Sequence, residues 1–328
     1  MYQFKDPQDT IVAIATPSGQ GGIGIVRLSG PDAITIADQM FVAKSKRRAP
    51  DLKNFMVHYG WAVDPASNRE SPDIIDEVLM TIMRSPQSYT CEDVVEFNCH
   101  GGMVVLKTLV ATAIHHGARL AEPGEFTKRA FLNGRIDLTQ AEAVLDIIQS
   151  KTESFLRVST HQLKGELSTE LEKIREELLL AYTEIEAIVN FPEDDIDAQG
   201  KQKLQHEITS AKHQVDRLLA SSTQGRILRE GIRIVICGKP NVGKSSLLNV
   251  LLKTPRAIVS QIAGTTRDTI EETAQIRGIP IQLIDTAGIL EPRDLIEEEA
   301  IKRSHQSIQG ADLVLLVLDG HEHASAED

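Results

Sequence analysis

The chain has few cysteines, no long apolar run and no excess of positive charge. Its three cysteines, Cys91, Cys99 and Cys237, are odd in number and far apart, which favours free thiols in a reducing compartment and hence a cytoplasmic protein. None belongs to a Cys-x-x-Cys pair, and no fourth ligand accompanies Cys91, Cys99 and His100, which disfavours zinc. No stretch of about 18 apolar residues occurs and the amino terminus is polar, so we expect neither a membrane span nor a signal peptide.

The charge balance is acidic, with 47 acidic and 35 basic residues and a net charge of −12. Proteins that bind nucleic acid directly usually present a basic surface. The one dense basic run, Lys44, Lys46, Arg47 and Arg48, is typical of a solvated loop. If the chain serves a nucleic acid, we expect the contact to be made through a partner or through segments outside this sequence.

A phosphate-binding motif is present. Residues 238–245 read Gly-Lys-Pro-Asn-Val-Gly-Lys-Ser and match G-x-x-x-x-G-K-[ST], between a β-branched run at 232–236 and a predicted helix at 246–253. The glycines let main-chain N–H groups face phosphate oxygens, Lys244 supplies charge to the β- and γ-phosphates, and the Ser245 hydroxyl is a Mg²⁺ ligand. This pattern predicts a nucleoside triphosphate site.

Two later segments indicate a nucleotide-sensing switch. The apolar run 279–284 ends in Asp285-Thr286-Ala287-Gly288, at the end of a strand where open α/β sheets bind ligands. Asp285 fits an indirect contact to Mg²⁺, and the Gly288 N–H fits the γ-phosphate. Between the two motifs lies a polar loop, residues 263–268, whose hydroxyls suit a metal.

The glycine run at 19–24 satisfies G-x-G-x-x-G and follows an apolar strand, so a dinucleotide site is one interpretation. The residues that follow, Ile25 to Leu28, are strand-like where a dinucleotide-binding fold requires a helix. A glycine-rich turn that joins two strands is therefore the favoured interpretation.

Periodicity predicts the remaining elements. Alternating short runs at 9–131 predict an α+β region, with helices at 31–42 and 102–115. From Leu138 to Gly225, apolar residues at helical spacing predict long helices, the second at about 201–222.

The phosphate loop, the polar loop and Asp-Thr-Ala-Gly, in that order, resemble the translation-factor-related GTPases. Gly-Thr-Thr-Arg-Asp at 264–268 narrows the resemblance to the MnmE (TrmE) family of tRNA-modification GTPases. Segments 10–13, 21–27, 92–96, 100–102 and 123–133 are similar to the amino-terminal region of that family, so the resemblance spans nearly the whole chain.

This resemblance implies a multidomain α+β and α/β protein. We expect an α+β tetrahydrofolate-binding and dimerisation domain at 1–132, a long-helix domain at 133–228 and a P-loop GTPase domain with a mainly parallel sheet at 229–328. No Asn-Lys-x-Asp guanine motif and no Cys-x-Gly-Lys tail occur. We therefore expect the GTPase domain to be incomplete at its carboxyl end, and guanine specificity is inferred from the resemblance.

The resemblance also implies the nucleotide-site residues. For GTP or GDP they are Gly238, Asn241, Val242, Gly243, Lys244, Ser245, Ser246, Ser260, Gln261, Ile262, Ala263, Gly264, Thr265, Thr266, Asp285, Thr286, Ala287 and Gly288. Mg²⁺ is expected on Ser245 and Thr266, and K⁺ on Asn241, Ser260, Ile262 and Thr265. Lys244 and Glu297 are the expected catalytic residues.

Ile289 follows the Asp-Thr-Ala-Gly motif, where Ras-like enzymes carry a glutamine that orients the attacking water. An aliphatic side chain cannot do this, and the family is similar in lacking that glutamine and in using K⁺. Glu297 matches the family's water-orienting acid. Glu298 and Glu299 adjoin it, so a shift of one position is an open alternative.

The resemblance further implies that Arg27, Glu96 and Arg135 bind a 5-formyl- or methylene-tetrahydrofolate as one-carbon donor. It implies a homodimer, a flavoprotein partner (MnmG/GidA), modification of the tRNA wobble uridine through that complex, and no membrane. A regulatory GTP switch of the ribosome-assembly type is the alternative, although such proteins lack the amino-terminal segments. An ATP-driven motor or kinase is disfavoured by Asp-Thr-Ala-Gly and the threonine switch.

Overall fold

The computed structural model describes residues 9–17, 19–65, 72–190, 198–239, 242–252, 271–285 and 308–320. The chain divides into two compact units, Met1–Ala141 and Glu142–Asp328. Each unit has a hydrophobic core of its own. Within the described ranges, no helix is both long enough and apolar enough to cross a membrane.

The first unit consists mainly of strands. In chain order its elements are β1 (Ile11–Ile14), β2 (Gly21–Ser29), α1 (Ala33–Met40), β3 (Phe41–Ala43), a short 3-10 helix (Ala49–Asp51), β4 (Val57–Asp64), β5 (Asp73–Met83), β6 (Val94–Gly101), α2 (Met103–His115), β7 (Arg119–Leu120) and α3 (Glu125–Leu132). Helix α4 (Leu138–Gln149) follows.

The strands form one seven-stranded sheet in the order β3-β4-β5-β6-β2-β1-β7. Neighbouring strands are antiparallel except β1 and β7, which are parallel. Successive side chains of a strand point to opposite faces, and in β5 Val78, Met80 and Ile82 are buried in the core that α1 and α2 cover. Glu77 and Leu79, on the other face, are exposed. At β5 the sheet therefore has one covered and one open face.

Five charged side chains, here called the arginine cluster, hold the start of β1 to α3. Arg119 binds Asp9 (Nε to Oδ2, 2.6 Å) and Glu125 (Nη2 to Oε1, 2.7 Å). Arg129, only 5% exposed, binds Asp9 (Nη2 to Oδ1, 2.5 Å) and Glu92 (Nη1 to Oε1, 3.2 Å). A buried charge that loses its partner destabilises the fold. These contacts therefore hold together three segments that are far apart in the sequence, around Asp9, around Glu92 and from Arg119 to Arg129.

The arginine cluster changes the acidity of its carboxylates. Burial by itself raises the pKa of Glu125, but hydrogen bonds from Arg119, the Glu122 N–H and Arg129 outweigh burial and hold this pKa at about 2. The hydrogen bond from Arg119 likewise lowers the pKa of Asp9. Both carboxylates are therefore ionised at neutral pH.

The second unit begins with helices α5 (Glu153–Leu163), α6 (Glu166–Asn190) and α7 (Ala198–Glu230). Thr152 caps α5, since its hydroxyl accepts a hydrogen bond from the Phe155 N–H at 3.2 Å. The three helices contact one another, and the residues they bury include Ile174 and Ala211.

The rest of the second unit is an α/β segment of β8 (Ile232–Cys237), α8 (Lys244–Leu252), β9 (Glu271–Ile276), β10 (Ile279–Asp285) and β11 (Leu313–Leu316). The sheet order is β11-β8-β10-β9. Both neighbours of β8 are parallel to it, and among the strands that the structure describes here only β9 is antiparallel, so the prediction of a mainly parallel sheet is confirmed.

Three predicted helix boundaries are wrong. Helix α1 ends at Met40, because Phe41–Ala43 pairs with β4 as strand β3. Helix α7 continues through Gly225 to Glu230, since one glycine costs a long helix only about 1 kcal/mol. Helix α8 begins at Lys244, two residues before the predicted Ser246, because the Leu247 N–H already bonds the Gly243 carbonyl.

Candidate functional site

The phosphate loop joins the end of β8 to the start of α8. Gly238 has φ +144°, and a Cβ there would lie 2.3 Å from the Val317 main-chain oxygen. Gly243, with φ +99°, is the second residue of the loop in a conformation that favours glycine. The two glycines of the motif are thus required by the path of the main chain.

Lys244, the first residue of α8, is only 7% exposed. Its ammonium donates hydrogen bonds to the carbonyls of Gly238 (2.9 Å) and Lys239 (2.7 Å) and so lies across the loop. Ser245, next in the helix, is exposed. A helix amino terminus with a buried lysine and an open hydroxyl fits a phosphate with its Mg²⁺.

Strand β10 ends at Asp285 beside the phosphate loop. Asp285 pairs in register with Ile236 of β8, one residue before β8 ends. Two adjacent parallel strands therefore carry the loop and the predicted Asp285 at the same edge of the sheet.

Several predicted site residues lie outside the described ranges, and their roles stay predictions. They are Asn241, Ser260, Gln261, Ile262, Ala263, Gly264, Thr265, Thr266, Thr286, Ala287, Gly288 and Glu297. Val242 and Ser246 lie with Gly243, Lys244 and Ser245 at the loop and the first turn of α8.

In the first unit, the structure brings Arg27 and Glu96 together. They are cross-strand partners in β2 and β6, and Arg27 Nε lies 2.7 Å from Glu96 Oε1. Both side chains are partly buried on the face of the sheet that α1 and α2 leave open. An antiparallel register thus joins two residues that are far apart in the sequence.

Arg135 joins this pair through Tyr89, which the sequence analysis missed. The Tyr89 ring centroid lies 5.6 Å from the Arg27 guanidinium carbon and 4.7 Å from that of Arg135. Phe126, also missed, lies 5.5 Å from the same Arg27 atom. We call these five residues, Arg27, Glu96, Arg135, Tyr89 and Phe126, the arginine–aromatic site. Phe126 lies within the family-like segment 123–133, and Tyr89 lies just before the family-like segment 92–96. Their position in or beside these segments is the sequence feature that could have indicated both residues.

The other sequence patterns have structural explanations. Strand β2 begins at Gly21 and runs antiparallel to β1, so the glycine-rich turn between two strands is confirmed. All three cysteines are free, and burial raises the pKa of Cys99 to about 11. His100 binds Asp76 (Nδ1 to Oδ1, 2.7 Å), and this hydrogen bond raises the pKa of His100. Across the described residues, no cluster of three or more His, Cys, Asp or Glu side chains is placed to hold a metal.

Two protein-family models match the chain. The model described as "GTP-binding protein TrmE N-terminus" matches residues 10–135, and the one described as "MnmE helical domain" matches residues 138–325. The second match alone covers more than half of the chain.

The chain belongs to the MnmE family.

Individual MnmE proteins are similar along almost the whole chain. The "tRNA modification GTPase MnmE" of Geobacillus thermodenitrificans is 49% identical over 321 residues, which cover 98% of this chain and 69% of that protein. The protein of the same name from Bacillus subtilis is 48% identical with the same coverage. The resemblance inferred from the motifs is therefore confirmed.

Among solved structures, the chain is similar to Era of Aquifex aeolicus bound to GDP and AlF₄⁻. The identity is 39%, and the match covers 30% of this chain and 33% of that chain with a TM-score of 0.24. A second similar structure is the G domain of the FeoB iron transporter of T. maritima, at 35% identity, 26% and 54% coverage and a TM-score of 0.20.

Proposed function

We propose that this MnmE-family GTPase hydrolyses GTP with activation by K⁺ and acts with a MnmG/GidA flavoprotein on the wobble uridine of tRNA. The product carries a 5-carboxymethylaminomethyl group whose one-carbon unit derives from 5-formyl- or methylene-tetrahydrofolate. The supporting observation is that one chain contains both a phosphate loop around Lys244 and the arginine–aromatic site. A regulatory switch of the ribosome-assembly type would need only the first.

In the nucleotide site, Lys244 provides charge for the β- and γ-phosphates while the first turn of α8 provides main-chain donors. Ser245 and Thr266 would hold Mg²⁺, and Asn241, Ser260, Ile262 and Thr265 would hold K⁺. When bound, these cations would stabilise negative charge on the transferred phosphoryl group. Glu297 is the proposed residue that orients the attacking water, because Ile289 cannot.

A cation-dependence assay on the full-length enzyme tests this mechanism, since guanine binding also requires an Asn-Lys-x-Asp segment. GTP turnover should be slow in Na⁺ and faster in K⁺. Asn241→Ala should remove the K⁺ response while binding is largely retained, and Glu297→Ala should lower turnover even in saturating K⁺. Equal turnover in Na⁺ and K⁺, with Asn241→Ala indistinguishable from wild type, would reject the cation mechanism.

The arginine–aromatic site has the groups that a folate requires. The Glu96 carboxylate can accept hydrogen bonds from a pterin, Arg27 and Arg135 provide cations for anionic groups, and Tyr89 and Phe126 provide apolar faces. Charged and aromatic groups on a partly buried sheet surface therefore support a ligand of mixed character.

Calorimetric titration of the whole chain with 5-formyl-tetrahydrofolate tests the folate proposal. A ligand at a hundredfold excess over its Kd should stabilise the folded state by about 2.7 kcal/mol. Glu96→Gln should weaken binding, whereas Lys212→Ala, an exposed change on α7, should not. A folded chain that shows neither heat nor thermal stabilisation would refute folate binding.

The open face of the first unit's sheet supports the proposed homodimer. Ile23, Val57 and Leu79 are 68%, 62% and 45% exposed, and with Tyr59 they line a groove of about 500 Å³. Clustered apolar side chains of this kind mark interaction surfaces. Light scattering should show a dimer that Leu79→Lys disrupts, whereas Val104→Lys, a 79% exposed position on α2, should leave the mass unchanged.

We further propose that the chain works in the cytoplasm and that tRNA is bound by the complex with the flavoprotein. A net charge of −12 supports a partner-mediated contact. The domain limits that belong to this proposal are 1–132, 133–228 and 229–328.

A further inference from the structure

The two arginines of the arginine–aromatic site differ in their partners. Arg27 is neutralised by Glu96 at 2.7 Å. Arg135 is exposed and, among the described residues, has no acidic partner; its Nη1 donates instead to the Tyr89 main-chain oxygen at 3.1 Å. One cation of the site is thus paired, and the other keeps its full charge.

Tyr89 holds Arg135 at two points, through its main-chain oxygen and through its ring at 4.7 Å. A cation over an aromatic face is attracted by the ring electrons without being neutralised. The long side chain therefore loses rotational freedom while its charge remains available to a ligand.

The segment that carries Tyr89 is itself fixed to the turn that carries Arg135. Asn133 donates from its side chain to the Thr90 main-chain oxygen at 2.7 Å, and the Tyr89 hydroxyl lies 2.9 Å from Thr127 Oγ1 on α3. The Arg135 N–H bonds the Ala130 carbonyl at the end of α3. Ring and guanidinium are therefore presented by one connected piece of structure.

We propose that Tyr89 is a positioning residue that orders Arg135 as the cation for the glutamate carboxylates of the folate, while Arg27 with Glu96 binds the pterin. This assignment rests on the proposed folate site. According to this assignment, binding of the anionic tail requires both the Arg135 guanidinium and the aromatic ring of Tyr89.

Titration with two ligands tests the assignment: 5-formyl-tetrahydrofolate, and the corresponding pteroyl amide, in which a neutral amide replaces the glutamate. Wild type should bind the form with glutamate at least about tenfold more tightly, as expected for one charged contact. Arg135→Gln should reduce this ratio to near one. Tyr89→Leu, which retains bulk but removes the ring, should do the same, whereas Tyr89→Phe, which retains the ring, should keep most of the preference.

Equal weakening of both ligands by Tyr89→Leu would mean that the ring only supports the fold, and would overturn the assignment. A wild type that does not discriminate between the ligands would overturn the role of Arg135. If wild type binds neither, the folate proposal itself fails.

The NMR signal of the Arg135 Nε–H separates these cases without any ligand: it should be resolved in wild type and Tyr89→Phe but averaged in Tyr89→Leu. An averaged signal in wild type would refute ordering by Tyr89.

Discussion

In the phosphate loop, Lys244 hydrogen-bonds carbonyls five and six residues away, whereas in the arginine–aromatic site Arg27 binds Glu96, 69 residues away. The first arrangement arises within a single strand–loop–helix segment. The second exists only when β2 and β6 pair in the right register. We therefore expect that mutations in the phosphate loop can change nucleotide binding without changing the stability of the fold. In the first unit, we expect mutations that destabilise the sheet to disturb its binding site as well.

Lys244→Ala should have the largest effect on nucleotide binding and little effect on stability. In the proposed site the ammonium would donate charge-assisted hydrogen bonds to two phosphates, so the affinity of the full-length enzyme for a fluorescent GTP analogue should fall more than about 100-fold. The circular dichroism spectrum and the unfolding midpoint should stay close to wild type, because the hydrogen bonds of this lysine to described residues lie within its own loop.

Lys212→Ala is the matched control, since this lysine is exposed on α7 in the same unit. Unchanged nucleotide affinity in Lys244→Ala would show that the loop is not a phosphate site. Global unfolding of that variant would contradict the separation of site and stability.

Arg129→Met should chiefly change stability. It removes the buried cation that Asp9, Glu92 and Glu125 share, and breaking a buried ion pair costs about 3 to 5 kcal/mol. Urea unfolding of the whole chain, followed by signals from the first unit, measures the loss. Arg48→Ala is the control: Arg48 also binds an aspartate, Asp38, but is 76% exposed, so the free energy of unfolding should hardly change. If the two variants lowered the free energy of unfolding equally, the arginine cluster would stabilise the first unit no more than an exposed ion pair does.

Acid should weaken the first unit through the same cluster. The pKa of Glu125 is about 2 in the folded state against 4.5 ordinarily, so its contribution is present above about pH 4.5 and is lost as the pH falls towards 2. Between about pH 5 and about pH 3 the free energy of unfolding should drop by about 2 kcal/mol from this group. Glu125→Gln should flatten that slope, and an unchanged slope would assign the acid sensitivity to other carboxylates.

Thr152→Ala should have the smallest effect. The cap of α5 is a local contact in the second unit, and loss of a helix cap costs about 1 kcal/mol. Thr152→Ser retains the hydroxyl and should restore most of the stability. A loss as large as that of Arg129→Met would show that local contacts in the second unit carry as much stability as the long-range cluster does.

The same contrast explains what could be predicted from the sequence. Strand β8, the phosphate loop, and Asp285 at the end of β10 follow from contiguous patterns, because the chemistry fixes residue type and spacing over a few positions. Short strands such as β7, with two residues, carry no periodic signal and depend on a partner elsewhere in the chain. Strand β3 was likewise not predicted, because its apolar residues are compatible with either a helix or a strand, and the helix predicted at 31–42 included two of them.

The arginine–aromatic site was only partly predictable. Arg27, Glu96 and Arg135 could be proposed from the family resemblance alone, since nothing in their local sequence indicates that they meet. Tyr89 was missed because its role follows from lying between two arginines, one on β2 and one after α3. Such a role depends on tertiary neighbours, which residue spacing does not report.

The position of Asp9 has a consequence for synthesis on the ribosome. Asp9 lies two residues before β1, yet its partners Arg119 and Arg129 are 110 and 120 residues downstream. At about 5 to 20 residues per second, these partners are translated roughly 6 to 24 seconds later. Until then Ile11 and Val12, which are fully buried in the finished sheet, have no completed site to enter. The newly made chain must therefore keep its first strand from aggregating, or have it shielded by a chaperone, until α3 has left the exit tunnel.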